Sequence, residues 1–517
     1  MARAAPVVAA GILASRIVGL VRQRVIAHYF GQATDSADAL AAAFRIPNVL
    51  QNLFGEGVLS ASLIPEYTKL RATGQDEEAG RLAGEVAGLL AVAMTLLVAA
   101  GVLLTPWLID LLQPGFDGAR RELAIGLVRI IFPGVGLLVL SAWCLGILNS
   151  HRRFFLSYAA PVVWNLAIIT TTIAAAARLS GPTLVVWTAW GSVIGAALQL
   201  LVQLPLVARL LGGIRPTLRH RSDAVRRVVV NFLPAALSRG VVQVSAYVDG
   251  AIAGLLPIGG VAALTNAQVL YTLPVSLFGM SIAAAELPEL STEAAGSGQR
   301  VADALRERLA RASRQVAFFV VPSVIGLAIL GGLAASAVFQ SGRFTADDVR
   351  LVWATLAGAS VGLLAVTLGR LYNSAHYALG DTRTPFRYAS LRVLIGVPLG
   401  LAAALWLPGA VGVAPRWGTA GLTLAGGVAG WLEFSLLRRS LVRRLGAIPI
   451  DWALHARLWP LALIAAGLAW LLARALGDGL MPALVALAAY GTLYLAGAAL
   501  LGLPMVAAIR RRFGGGR

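Results

Sequence analysis

Long apolar runs separated by short polar segments make up most of this chain. Each run is roughly 17 to 28 residues long, and a helix needs about 20 predominantly apolar residues to span a bilayer. The runs lack strict alternation of apolar and polar positions, so they predict helices and exclude a transmembrane barrel. The fold class that follows is an all-α polytopic membrane protein with about fourteen transmembrane helices. The predicted spans are 4–27, 38–64, 84–112, 122–148, 157–177, 183–208, 229–255, 260–287, 315–338, 350–375, 386–406, 417–437, 458–474 and 481–507.

The composition agrees with this pattern and excludes a soluble globular protein. Of the 517 residues, 58% are hydrophobic and 13% are charged, and the mean hydropathy is +0.78. The formal net charge is +19, but the basic residues recur in alternate loops rather than in one domain. That distribution indicates topology and contact with anionic lipids, with no nucleic-acid partner, and it places both termini in the cytoplasm.

A duplication is visible in dipeptides that recur, in order, at an offset of 223 or 224 residues. Each dipeptide alone is a weak signal, but the ordered set predicts two copies of one unit. The pairs are Ser15-Arg16 with Ser238-Arg239, Phe54-Gly55 with Phe278-Gly279, Pro65-Glu66 with Pro288-Glu289, and Asn149-Ser150 with Asn373-Ser374.

The duplication predicts two six-helix lobes, residues 1–220 and 221–440. Because six is an even number, both copies begin on the same side of the membrane, and a pseudo-two-fold axis along the membrane normal should relate them. Two such lobes are expected to enclose a central cavity suited to alternating access. Residues 441–517 hold helices 13 and 14 and a cytoplasmic tail, outside the repeat.

Four arginines, Arg16, Arg22, Arg24 and Arg45, lie inside the apolar stretch 15–47. A charge at the bilayer centre costs about 2.5–3.5 kcal/mol on insertion scales, so intramembrane arginines normally face a watery cavity. The cluster therefore predicts a site for an anionic ligand. An alternative is that Arg22 and Arg24 mark a helix end and extend to the interface.

Acidic residues accompany this cluster. Asp38 and Arg45 are seven residues apart and share one face of a helix, and Glu56 follows in the same predicted span. Asp38 is expected to pair with one of the four arginines, which limits uncompensated positive charge. The second lobe adds Arg239 and Asp249 at a similar depth in its first helix.

Polar residues also follow the ends of two long helices. Asn149-Ser150 and Asn373-Ser374 end predicted helices 4 and 10, and the second pair precedes the segment 381–385, DTRTP. We interpret these residues as caps that satisfy free backbone groups, with gating as the alternative.

Five ordered segments resemble the MurJ/MviN lipid II flippases of the multidrug/oligosaccharidyl-lipid/polysaccharide exporter superfamily. The resemblance spans both lobes. The segments are SRIVGLVRQRVIAHYFG (15–31), ADALAAAFRIPNVLQNLFGEGVLSASLIPEYTKL (37–70), GILNSHRRFFLSYAAPVVWN (146–165), GGVAALTNAQVLYTLPVSLFGMSIAAAELPELS (259–291) and YNSAHYALGDTRTPFRYAS (372–390).

The resemblance implies a transporter in the bacterial cytoplasmic (inner) membrane. Its cavity would bind the diphosphate and sugar headgroup of lipid II or a similar polyprenyl-diphosphate-linked saccharide, with the isoprenoid tail near helices 13 and 14. The family's functional charges fall on Arg16, Arg22 and Asp38, with Glu56 in its motif. Membrane lipids and cell-wall synthesis proteins are the other implied partners.

The chain departs from the family pattern at three places. Gln23 stands for an acidic residue, Gln51-Asn52 for an arginine before LFGEG, and Val269 for an arginine of the eighth helix. The arginines available to replace the missing charges are Arg24, Arg45 and Arg239.

The resemblance also bears on energy coupling. Asp249, in AYVDG, resembles an acidic position of the seventh helix where some relatives are thought to bind sodium. It is therefore a candidate ion-binding residue, and coupling to an ion gradient or to the membrane potential is expected. No other cofactor is predicted.

Three other functions remain open. An exporter of drugs or of other lipid-linked oligosaccharides would share the fold, although clustered arginines repel cationic drugs. A polyprenyl-phosphate glycosyltransferase would need clustered carboxylates or a metal site, and the five scattered histidines and the single Cys144 predict neither a metal site nor a disulfide. A scaffold that does not transport is the third alternative, favoured by the missing arginines.

Overall fold

The computed structural model describes residues 4–215, 217, 223–294 and 299–506. These residues form helices and no strand, which confirms the predicted all-α class. They group into two compact units. Unit 1 comprises residues 1–262 with 341–344, and unit 2 comprises residues 263–340 with 345–517.

Ten helices and the first turn of an eleventh build unit 1. Its core contains large apolar side chains such as Leu59, Leu63 and Leu82, packed around Tyr67. The ten helices are α1 (Ala4–Phe30), α2 (Asp35–Arg45), α3 (Asn48–Phe54), α4 (Glu56–Ala72), α5 (Asp76–Leu103), α6 (Thr105–Leu112), α7 (Gly118–Ser150), α8 (Phe154–Ala176), α9 (Gly181–Leu210) and α10 (Asp223–Gly254).

The second predicted span, 38–64, is broken into α2, α3 and α4. The first break lies at Ile46–Pro47, because proline cannot donate the backbone hydrogen bond that would continue the helix. The second lies at Gly55, whose extended backbone interrupts the helical dihedrals. A Cβ at Gly55 would overlap the Gln51 carbonyl oxygen, so only glycine fits this bend.

Unit 2 has its own core, in which Phe318, Leu371, Leu437 and Leu458 are buried. A π-helical turn, Val275–Met280, links two of its helices, and a Cβ at Gly279 would crowd Thr367. Its helices are α11 (Gly260–Pro274), α12 (Ser281–Ala294), α13 (Gln299–Ile329), α14 (Gly331–Phe339), α15 (Ala346–Ala378), α16 (Arg383–Leu405), α17 (Leu407–Ala410), α18 (Gly418–Leu445), α19 (Trp452–Leu476) and α20 (Leu480–Leu500).

The helices of the two units correspond in order. Helices α7, α8 and α9 contain 33, 23 and 30 residues, and α15, α16 and α18 contain 33, 23 and 28. The irregular segments also correspond, since Gly55 interrupts one copy and the repeat-related Gly279 lies in the π-helical turn of the other. These correspondences support the duplication.

The compact units do not divide at residue 220. Helix α10, which begins the second sequence repeat, packs on unit 1, where Val225 and Val228 join its core and Phe232 contacts Phe54 at 5.3 Å between ring centroids. Unit 1 therefore extends to residue 262. The repeat boundary at 220 stays a prediction about the sequence, as does the division at 440.

Eleven helical segments of the described chain are long and apolar enough to cross a membrane. The other three predicted spans are helical too, but α1 and α10 carry several charges and the second span is broken. The number fourteen is therefore not confirmed, whereas a multi-span membrane protein is.

The predicted cap before α16 is present. The Asp381 carboxylate accepts hydrogen bonds from the Thr384 backbone N–H (2.9 Å) and hydroxyl (2.7 Å) and forms an ion pair with Arg444 (2.5 Å). Desolvation raises the pKa of Asp381, but the bonds from Thr384 and the charge of Arg444 prevail and lower it to about 2. The capping interpretation is confirmed at this helix.

Candidate anion-binding site

An aromatic cage from two other helices holds Arg22 of α1. Its guanidinium carbon lies 5.0 Å from the Trp164 ring centroid and 5.7 Å from that of Phe44. The two rings are nearly perpendicular, and Trp164 is fixed by the hydrogen bond that its Nε1 donates to the Ser192 carbonyl (3.1 Å). Such cation–π contacts are worth about 0.5–2 kcal/mol. They hold the guanidinium between α1, α2 and α8.

The cage leaves part of Arg22 without a partner. Its Nε is buried and makes no hydrogen bond within the described part of the chain. No carboxylate among the described residues forms an ion pair with it. The interface alternative is wrong for Arg22, because its guanidinium contacts Phe44 and Trp164 instead of extending along α1. A buried cation with an open donor is suited to an anionic ligand.

Arg45, the residue after Phe44, lies beside α10. It interacts electrostatically with Asp249 and Tyr247, and its backbone carbonyl accepts a hydrogen bond from the Tyr247 hydroxyl (3.5 Å). A Cβ at Gly250 would overlap Arg45 Nη1, so the missing side chain makes room for the guanidinium. The candidate ion-binding residue Asp249 therefore neighbours a fixed cation.

A hydrogen bond from α3 completes this polar cluster. The side chain of Asn52, which stands where the family pattern has an arginine, is bonded to the hydroxyl of Tyr247. The departure at this position replaces a charge with a neutral group that positions Tyr247. Arg45 is the guanidinium that the structure places beside this tyrosine.

Asp38 has a different partner from the one predicted. It is fully buried, its carboxylate accepts hydrogen bonds from the backbone N–H groups of Gly259 (2.8 Å) and Ala262 (2.9 Å), and it forms an ion pair with Arg120 (3.5 Å). Arg120 also lies 4.4 Å from the Phe116 ring centroid. The predicted pairing of Asp38 with Arg16, Arg22, Arg24 or Arg45 is wrong, because the start of α11 and Arg120 occupy its oxygens. Asp38 caps α11.

The remaining predicted site residues fall into two groups. Arg16 is exposed on α1, whereas Arg24 is partly buried and interacts with another residue. The side chains of Glu56 and Arg239 lie outside the described residues, so the expected cavity and the position of Arg239 opposite Arg16 stay predictions.

Sequence reasoning missed the residues that position the two guanidiniums. Phe44 and Trp164 read as ordinary apolar positions of their spans, and nothing in the sequence pairs either with Arg22. Arg120 was counted with the polar loops because it starts a long helix. Its proximity to Asp38 depends on α2 packing against α7.

The geometry around α2 thus brings together two guanidiniums, one caged by aromatic rings and one beside a carboxylate. Comparison with known proteins identifies this arrangement's relatives. The family model described as lipid II flippase MurJ matches residues 26–489. The chain belongs to the MurJ family. The matched range contains Asp38, Arg45 and Asp249, and begins after Arg22.

Individual relatives agree with the family model. The lipid II flippase MurJ of Burkholderia cenocepacia is 31% identical over 84% of this chain and 82% of its own length. A probable lipid II flippase MurJ of Rhizobium meliloti is also 31% identical, over 84% of the chain and 79% of the relative. The MurJ family consists of flippases, so the chain is a transporter and the glycosyltransferase alternative is excluded.

Solved structures agree on the fold. A lipid II flippase MurJ in an inward closed conformation superposes with a TM-score of 0.78 at 21% identity, covering 96% of this chain and 99% of that one. An inward-facing multidrug resistance MATE family transporter of the MOP superfamily gives 0.65 at 17% identity, covering 83% and 95%. The fold is therefore that of the MOP superfamily.

Proposed function

We propose that this protein flips lipid II, the polyprenyl-diphosphate-linked precursor of peptidoglycan, across the cytoplasmic membrane by alternating access. Membership of the MurJ family supports the cargo. Both termini are assigned to the cytoplasm, since the arginine-rich loops alternate with poor ones along the chain.

The observation that carries the proposal is the caged guanidinium of Arg22. It is a cation inside an apolar environment, held in place by Phe44 and Trp164, with a buried Nε donor that no described residue accepts. A diphosphate supplies both the negative charge and the acceptor oxygens that such a group requires. Ligand binding would then remove the cost of leaving the donor unsatisfied.

Breaks in the helices support movement at this place. Helix α2 ends one residue after Phe44, and the chain bends again at Gly55. Discontinuous helices are common at transport sites because their interrupted backbone can change direction with little loss of helical hydrogen bonds. The end of α2 carries Phe44 and Arg45 together, so a change in its direction would move both guanidinium contacts.

The experiment that tests the function is rescue of a bacterial strain depleted of its own lipid II flippase. The wild-type chain should restore growth, and Arg22→Ala should abolish rescue while the amount of protein in the membrane stays the same. Arg178→Ala is the matched control, because Arg178 is exposed in a loop and should not affect rescue. Normal rescue by Arg22→Ala would contradict the assigned role of this arginine, and absence of rescue by the wild type would contradict the function.

A scaffold that does not transport would fail in a second measurement. Purified protein should bind lipid II, and Arg22→Ala should weaken the binding by about tenfold or more, as expected for loss of one charge-assisted hydrogen bond. Equal affinities of wild type and variant, or no binding at all, would favour the scaffold.

Export of cationic drugs is the second candidate, since MATE transporters share the fold. Arg22 disfavours it because a buried guanidinium without a paired carboxylate repels a cation. Resistance of cells that express the chain to cationic dyes would favour drug export.

Energy coupling is a further part of the proposal. Asp249 lies beside Arg45, so a bound cation would compete with that guanidinium for the carboxylate. Asp249→Asn should make rescue insensitive to the sodium concentration of the medium if sodium is the coupling ion. An unchanged sodium dependence in this variant would remove Asp249 from the coupling.

A further inference from the structure

A second group of charged side chains lies inside the apolar spans of unit 2. Arg392 of α16 pairs with Glu433 of α18 (3.1 Å), and both Arg392 and Arg370 of α15 interact electrostatically with Tyr271 of α11. Four helices of the same unit therefore bring two guanidiniums, one carboxylate and one phenol together.

The depth of the two arginines excludes an ordinary position at a helix end. Arg392 lies nine residues after the start of α16, about 13 Å at 1.5 Å per residue, and Arg370 lies eight residues before the end of α15, about 12 Å. The hydrocarbon core is only about 30 Å thick. Charges at this depth are expensive and mark functional sites.

The charges do not cancel. Glu433 neutralises Arg392, and its side chain is only 11% exposed. Arg370 is exposed, and its guanidinium makes no hydrogen bond or ion pair within the described ranges of the chain. The cluster therefore carries a net charge of about +1 beside a hydroxyl donor, if all three ionisable groups have their usual charges.

The cluster is specific to unit 2. At the repeat offset of 224 residues, Arg370 corresponds to Gly146 and Arg392 to Ile168, so the first copy has neither arginine. The charges are therefore not a common structural requirement of the duplicated unit.

We propose that Arg370, Arg392 and Tyr271 form a second anion-binding site, which takes the phosphate or diphosphate group of an isoprenoid lipid. Two guanidiniums and a phenol offer N–H and O–H donors to several phosphate oxygens, which a single carboxylate ligand would leave partly unused. Glu433 holds Arg392 in place and limits the charge that the site presents. The apolar surroundings suit the attached isoprenoid chain.

The test is a binding measurement on the purified full-length protein, with every chain carrying Arg22→Ala so that the first site contributes little. The probe is farnesyl diphosphate. Arg370→Gln should weaken its binding about tenfold or more. Glu433→Gln keeps a hydrogen-bonding group beside Arg392 but removes the opposing negative charge, so it should strengthen binding. Arg350→Gln is the matched control on the same helix, since Arg350 is exposed and pairs with Asp347.

Two further probes identify the source of the phosphate. Inorganic diphosphate that binds with the same dependence on Arg370 and Glu433 would support the site with a free anion as its ligand, whereas binding of farnesyl diphosphate alone would support the lipid. Equal binding of uncharged farnesol would overturn the proposal.

Two results with the variants would also overturn it. One is an unchanged affinity in Arg370→Gln, and the other is weaker binding in Glu433→Gln, which would indicate a structural role for the ion pair. Because the assay measures binding and not flipping, the site can stand if the rescue experiment fails, and the reverse also holds. Melting temperatures of the variants verify that each one is folded.

Discussion

Replacing Asp38 by asparagine should destabilise unit 1 strongly. The carboxylate accepts two backbone N–H groups at the start of α11 and one N–H group of Arg120, and its side chain is 1% exposed. Asparagine has nearly the same shape but only one acceptor oxygen and no charge. One backbone N–H group would lose its acceptor, and buried Arg120 would lose its counter-charge.

The magnitude follows from these contacts. A hydrogen bond to a charged group contributes about 1.5–3 kcal/mol, and removing one member of a buried ion pair costs about 3–5 kcal/mol. The two figures overlap because Arg120 contributes to both, so we expect a loss of about 3–5 kcal/mol in the free energy of unfolding. At about 2 °C per kcal/mol for a unit of this size, the melting temperature should fall by roughly 6–10 °C.

The measurement is the melting temperature of the purified protein in detergent. Asp35→Asn is the matched control, because it makes the same change in the first turn of the same helix. The double variant Asp38→Asn/Arg120→Gln should recover part of the loss, since it removes the unpaired charge. If Asp38→Asn melted at the temperature of the wild type, the assignment of Asp38 as the cap of α11 would be refuted.

Two further predictions concern Gly250 and Asp381. Gly250→Ala should displace the Arg45 guanidinium and reduce rescue of the flippase-depleted strain at an unchanged melting temperature, whereas Gly19→Ala, which meets no neighbouring atom, should rescue normally; normal rescue by both variants would contradict this. Because the pKa of Asp381 is about 2 in the folded protein and 3.8 in the reference state, its stabilisation is present above about pH 4 and is lost as the pH falls toward 2. Asp381→Asn should therefore lower the melting temperature near neutral pH and reduce its fall on acidification, and equal pH profiles would contradict the cap.

Hydropathy predicts the helices of this protein well because a bilayer restricts spanning segments to one length and one hydrogen-bonding pattern. It cannot predict where a helix is interrupted. Gly55 and Gly279 lie inside long apolar runs, and their effect depends on the contacts of Gln51 and Thr367 with the backbone. Pro47 was the one local signal of a break.

The site was predicted less completely, because its geometry comes from contacts between distant segments. The sequence identifies Arg22 and Arg45 as unusual charges, but it does not identify Trp164 as the ring beside Arg22. Arg392 and Glu433 were missed for a related reason. In a chain with so many arginines, two opposite charges 41 residues apart draw no attention until α16 and α18 are seen to pack together.

The cap at the start of α11 has a consequence for biogenesis. The two backbone groups that Asp38 binds belong to residues 221 and 224 positions later in the chain. At a synthesis rate of about 5–20 residues per second, Asp38 enters the membrane roughly 10 to 40 s before these residues exist. Arg120, 82 residues downstream, arrives first and can hold the carboxylate during that interval. Translation that stops near residue 220 would thus leave a nascent chain whose buried charge pair is incomplete, a state that membrane proteases and insertases could distinguish from the finished protein.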